Sequence, residues 1–159
     1  MKHGWIGYLA SSAAVAATAA AGSIAVDPRS NWYRGLDKPE WQPPSAAFGP
    51  VWTVLYASIA WSGGRSLGRV TGAGRQRYLS ALAANLALNA GWNWLFFRAR
   101  NPVAGLAGIA ALNVSNAALI RQTGKIDRAA AAALIPYAIW TGFATALNAE
   151  IARLNSVRD

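Results

Sequence analysis

Apolar residues along this chain gather into five long runs, at residues 5–25, 46–67, 78–97, 103–120 and 129–154. A hydrocarbon core about 30 Å thick is crossed by roughly 20 helical residues, and each run is close to that length. The polar punctuation between them fits helix ends. Asp27-Pro28 closes the first run, because proline lacks a backbone N–H and restricts its predecessor. Residues 65–77 read as a glycine-rich basic link, and Gly124-Lys125-Ile126-Asp127 as a tight polar turn. Asn101-Pro102 reads as an N-cap followed by proline at the first helical position. The pattern predicts an all-α integral membrane protein, with residues 1–159 forming one transmembrane domain of five helices. The first run has a rival reading as a secretory signal, with Lys2 before it and Ser23-Ile24-Ala25 as a cleavage-like site. Trp5, Tyr8 and a run longer than the roughly 7–15 residues of a signal core favour a retained helix.

Composition sharpens this picture. Hydrophobic residues make up 54% and charged ones 13%, about half the charge of an ordinary soluble surface. Fifteen Lys and Arg against six Asp and Glu give a formal charge of +9. Nucleic-acid binders carry such an excess as a stripe over a polar domain. Here it lies in short clusters between apolar runs, so the expected partner is a lipid bilayer and not nucleic acid. Five crossings put eight Lys and Arg on one side and seven on the other, a near tie that sets no orientation. There is no cysteine, and the single histidine is His3. Disulfides, thiolate chemistry, histidine triads and multi-histidine metal sites are therefore not expected, and no metal site is assigned.

The connection from Asp27 to Pro50 is long for a link between helices, and such loops are commonly lids or binding loops. It holds Trp32, Tyr33, Trp41 and Phe48, and Pro39, Pro43 and Pro44 stiffen it. Each tryptophan alone also fits an aromatic belt at headgroup level. The cluster as a whole reads better as a lid over the bundle mouth.

Helix faces add to this. In the third run Asn85, Asn89, Trp92 and Phe96 recur at i, i+4, i+7 and i+11 and share one face. Amides rarely face lipid, so this face points inward, either to bind a ligand or to tie helices together. On another face Ala83, Ala87 and Gly91 allow close helix approach, either in a homodimer or within the chain. Trp140, Ala144 and Leu147 form a stripe in the last run, and Trp52, Tyr56 and Ile59 one in the second. Such stripes are usually core, but facing tryptophans can also sandwich a planar ring. Glu150, inside the last run, sits a turn before Arg153, which suits an interfacial ion pair better than a proton relay.

The string Trp32-Tyr33-x-x-Leu36-x-Lys38-Pro39-x-Trp41-x-Pro43-Pro44 resembles the translocator protein/TspO family of tryptophan-rich sensory proteins. Later blocks follow in order: Phe48, Trp52 and Leu55-Tyr56; Asn85, Leu88-Asn89, Trp92 and Phe96-Phe97; Pro136-Tyr137, Trp140, Phe143-Ala144-Thr145 and Leu147-Asn148. The resemblance implies a five-helix bundle, usually dimeric, that binds porphyrins and other hydrophobic ligands beneath the first loop. It implies ligand contacts at Trp32, Phe48, Gly49, Val51, Trp52, Tyr56, Asn85, Asn89, Trp92, Phe96, Trp140, Ala144 and Leu147. Arg34 and Lys38 would meet porphyrin propionates at the mouth, or else be solvated loop charges. Members with tryptophan at the positions of Trp52 and Trp140 are linked to light-dependent porphyrin breakdown, which makes these two the catalytic candidates. No resident cofactor is expected, with protoporphyrin IX as a ligand. Iron ligation is disfavoured, because no Cys exists and Met1 and His3 lie far from the pocket. The sterol pattern near the carboxyl end lacks its tyrosine, so sterol is a weaker candidate. A bacterial cell membrane is the expected location, and a small exporter of tetrapyrroles or lipids is the alternative function.

Overall fold

The computed structural model describes residues 4–156, so His3 lies outside the described residues. All regular structure among those residues is helical. Helix α1 spans Gly4–Ala25, α2 Asn31–Gly35, α3 Ser45–Leu67, α4 Gly72–Asn93, α5 Pro102–Ile126, α6 Arg128–Ala133 and α7 Ile135–Asn155. A π-helical turn, Trp94–Arg98, extends α4. Among the described residues three units are long and apolar enough to cross a membrane: α1, α5 and the joined α6–α7 rod, Arg128–Asn155. Helices α3 and α4 match them in length but have lower mean hydropathy, α3 through its Ser, Gly, Trp and Tyr residues and α4 through Arg75, Gln76, Arg77 and its asparagines.

Two expected links are shorter than their composition suggests. The basic stretch 65–77 is a connection only at residues 68–71, because Arg75, Gln76 and Arg77 already belong to α4. The polar turn at 124–127 shrinks to Asp127, since α5 runs on to Ile126. In both places hydropathy falls before the helix ends. Arginine, lysine and glutamine are good helix formers, and a helix that leaves the bilayer need not stop there. The Asn101 cap forms as expected, with its side-chain oxygen 2.9 Å from the N–H of Ala104. Arg100, with φ of 54°, makes the left-handed turn that separates α4 from α5.

Packing follows small residues and buried amides. Helix α1 buries Gly7, Ser11, Val15, Thr18, Gly22 and Ala25, a 3.6-residue stripe with little bulk. This stripe lies against Gly63 and Gly64 of α3, and a Cβ at Gly7 would stand 2.8 Å from the Gly64 carbonyl oxygen. Backbones therefore meet where glycine permits it. At the bundle centre a polar network joins α3, α4, α5 and α7. Tyr56 donates to Asn89 (3.0 Å), Asn89 to the Tyr137 hydroxyl (2.9 Å), Tyr137 to Asn85 (3.2 Å) and Asn85 to Asn116 (2.7 Å). Asn116 continues to Thr141 at 2.9 Å.

The opposite end from the first loop is closed by polar contacts between α3 and α6. Ser58 donates to Ala133 O, and Ser62 donates to Ala130 O at 2.8 Å. Beyond them Asp127 accepts from the Ala130 N–H at 2.9 Å and holds Arg65 and Arg69 at 2.9 and 3.0 Å. The Ala130 N–H first, and then the two guanidinium groups, hold the Asp127 carboxyl below its ordinary 3.8. A depressed carboxylate stabilises the fold above its unfolded value, and that contribution is lost as pH falls through the folded one. Detergent-solubilised protein is therefore expected to lose melting temperature as pH drops below about 4, and Asp127→Asn should flatten this loss. Identical pH profiles would show that the Asp127 contacts do not hold the joint.

Candidate functional site

A cavity of about 340 Å³ lies at the first-loop end of the bundle, within the range of small-molecule sites. Helix α1 supplies Ala19 and Ser23, α3 supplies Phe48, Gly49, Trp52 and Tyr56, and α4 with its π turn supplies Trp92, Asn93, Phe96 and Phe97. Helix α7 adds Trp140, Ala144, Leu147, Asn148 and Ile151, while Val26, Pro28, Tyr33 and Ser45 close the loop side. Among the described residues, none that lines the cavity carries a charge.

The aromatic rings are fixed by one another. Trp52 lies 5.3 Å from Tyr56, 6.3 Å from Trp92 and 6.2 Å from Tyr137, centroid to centroid. Across the cavity, Phe48 meets Trp140 edge-on at 5.8 Å, and Trp140 leans on Phe143 at 5.4 Å. Trp92 donates its indole N–H to Asn148 at 3.1 Å, and Asn148 in turn donates to Pro102 O at 2.7 Å. Tyr56 joins the wall to the Asn89 network beneath. Trp140 differs, because its indole nitrogen is buried without an acceptor. Buried donors are nearly always paired, so this N–H, shielded from the open space as well, is an exception within the bundle.

Nine of the expected contact residues line this space: Phe48, Gly49, Trp52, Tyr56, Trp92, Phe96, Trp140, Ala144 and Leu147. Four do not. Trp32 stands behind the wall, edge-on to Phe96 at 5.7 Å, and Val51 packs into the central core. Asn85 and Asn89 are fully buried below the cavity, their amides engaged in the helix-tying network. The structural alternative for these two asparagines is the one the geometry follows.

The loop cations also point elsewhere. Arg34 is exposed and donates to Asn31 at 3.0 Å. Lys38 donates to Leu36 O at 3.0 Å and lies 4.6 Å over the Tyr33 ring. Desolvation lowers the Lys38 pKa against the opposing pull of Asp37. Burial raises that of Tyr33, partly offset by the Gln42 amide on its hydroxyl. The first loop is tied across the bundle end by the Asp37–Asn155 hydrogen bonds and by Trp41 on Phe143 at 5.8 Å. Glu150 is held by Arg153 through two contacts, at 2.6 and 2.9 Å, which is the ion pair expected in place of a relay.

Residues absent from the expected set have readable causes. Phe97 enters because the π turn rotates α4 by an extra residue, bringing Phe96 and Phe97 to 4.9 Å and both to the cavity. Asn148 and Ile151 extend the Trp140, Ala144, Leu147 stripe at helical spacing, so the sequence did contain that signal. Ala19 and Ser23 of α1 carry no aromatic mark. Among the described residues no cluster of three or more His, Cys, Asp or Glu could hold a metal ion.

Comparison with known proteins decides the family. Residues 10–154 match the model of the TspO/MBR family. The chain belongs to the TspO/MBR family. It is 34% identical to a tryptophan-rich sensory protein of Cereibacter sphaeroides over 155 residues, covering 98% of this chain and 95% of that one. It is 35% identical to the tryptophan-rich protein TspO of Chlorobaculum tepidum, covering 80% and 82%. The human translocator protein is 36% identical over 74% of this chain and 70% of its own length. Like other TspO/MBR chains it is a membrane protein, and its conspicuous tryptophans Trp52, Trp92 and Trp140 converge on one cavity.

Proposed function

We propose that this protein spans the membrane five times and binds porphyrin or a related planar tetrapyrrole in its tryptophan-lined cavity, with the first loop as lid. The observation that carries this reading is the convergence of three indoles from α3, α4 and α7 on one uncharged space. Flat aromatic faces stack on a flat macrocycle, and Trp52, Trp92 and Trp140 supply three of them. Helices α3 and α4 serve as the two further spans. Their polar groups are drawn inward while Val54, Ala83, Ala84 and Ala87 face out. The chain acts as a sensor or regulator of tetrapyrrole and stress physiology in a bacterial cell membrane, without a resident cofactor. Light-dependent breakdown of the bound pigment is the associated chemistry, with Trp52 and Trp140 as electron donors.

Titration of the detergent-solubilised protein, followed by tryptophan fluorescence, tests the ligand class. Protoporphyrin IX should quench saturably at one equivalent per chain, haem less tightly, and cholesterol without saturation. Equal responses to all three would remove tetrapyrrole recognition. A homodimer through α4 belongs to the same reading. Ala83 and Ala87 are exposed, and a side chain at Gly91 would meet nothing within 4 Å. Ala87→Leu is expected to lower the crosslinked dimer fraction several-fold, and an unchanged fraction would discard that surface.

A further inference from the structure

We propose that the end of the bundle opposite the cavity is a docking surface for anionic phospholipid headgroups. The two ends differ in charge. At the cavity end the cations among the described residues stand with four acids, Asp27, Asp37, Glu40 and Glu150. At the other end the described residues include seven cations, Arg65, Arg69, Arg75, Arg77, Arg121, Lys125 and Arg128, and one acid, Asp127. That carboxylate is already engaged by the Ala130 N–H, Arg65 and Arg69. Arg75 turns back to the Leu67 carbonyl oxygen at 2.9 Å.

Four exposed cations remain, and none meets a carboxylate among the described residues: Arg77 on α4, Arg121 and Lys125 one turn apart on α5, and Arg128 opening α6. Helices α4 and α5 pack side by side, so the four stand on one rim. The level of that rim is set by indoles. Trp61 is 41% exposed on the outer face with the Arg65 guanidinium 5.2 Å over its ring, and Trp5 on α1 is 61% exposed at the same end. Exposed tryptophans of this kind mark the membrane–water interface. Long cationic side chains just beyond them reach the phosphate layer. A headgroup with net negative charge gives these cations the counter-charge that the protein withholds, whereas a zwitterionic one offsets its phosphate with its own ammonium.

The test uses the full chain in neutral detergent, with lipid adducts counted by native mass spectrometry. Dioleoylphosphatidylglycerol should associate at least tenfold more tightly than dioleoylphosphatidylcholine at low salt. The preference should shrink severalfold at about 0.5 M salt. The combined change Arg77→Gln, Arg121→Gln, Lys125→Gln and Arg128→Gln should erase it. Each of Arg121→Gln and Lys125→Gln alone should reduce it about fivefold, which keeps the test decisive if the fourfold variant does not fold. Arg29→Gln with Arg98→Gln and Arg100→Gln, at the cavity end, should leave it intact. Equal association of the two lipids, or a preference that follows the cavity-end variant, overturns the assignment.

Discussion

Ala144→Trp is expected to weaken protoporphyrin IX binding a hundredfold or more, about 2.7 kcal/mol, while the protein still folds. Ala144 is buried in α7 one turn beyond Trp140 and forms part of the cavity wall. An indole built there enters a space of about 340 Å³ that Ala144 lines, and takes up a large share of it. Because the cavity already holds no side chain, filling it does not overpack the core in the usual sense. Circular dichroism and melting should stay near the wild type, and the lost affinity should appear in the fluorescence titration. Wild-type affinity in a folded Ala144→Trp protein would place the ligand elsewhere.

The second large effect concerns light. Bound protoporphyrin is expected to decay under illumination in air, with Trp52→Phe and Trp140→Phe each slowing decay tenfold or more. Binding should change by less than threefold, since phenylalanine keeps a stacking face. The excited pigment accepts one electron from an indole, leaving a pigment radical anion and an indole radical cation, and dissolved oxygen is the terminal oxidant. Phenylalanine is far harder to oxidise, so the substitution separates electron donation from packing. Trp92 is a built-in comparison, because its N–H is held by Asn148 whereas Trp140 has no acceptor. Equal decay in wild type, both variants and empty detergent micelles would leave a binding protein without this chemistry.

Much of this was legible in the sequence, for physical reasons that differ from place to place. Asp27-Pro28 and Asn101-Pro102 mark real helix ends because proline and an asparagine cap act locally. The ends near Arg75 and Lys125 were not legible from hydropathy, which tracks the membrane boundary rather than the backbone hydrogen bonds. The α6–α7 rod is interrupted at Leu134, just before Pro136, where the ring removes a donor. Helix α4 looks weakly apolar because Arg75, Gln76 and Arg77 at its start and Asn85 and Asn89 within it lower its average, yet the two asparagines lie at 0% exposure and are joined through the Tyr137 hydroxyl. Aromatic stripes on α3 and α7 located the cavity. The contribution of α1 stayed hidden, because Ala19 and Ser23 resemble any other small residues of that helix. Arg34 and Lys38 show the converse limit: a cation near a pocket in sequence was already engaged within its own loop.

The most direct measurement is an experimental structure of the protein with protoporphyrin IX bound. Macrocycle density is expected between Trp52, Trp92 and Trp140, within stacking distance of at least two of the three indoles. Density confined to the outer, lipid-facing helix surfaces, with the cavity unchanged, would contradict it.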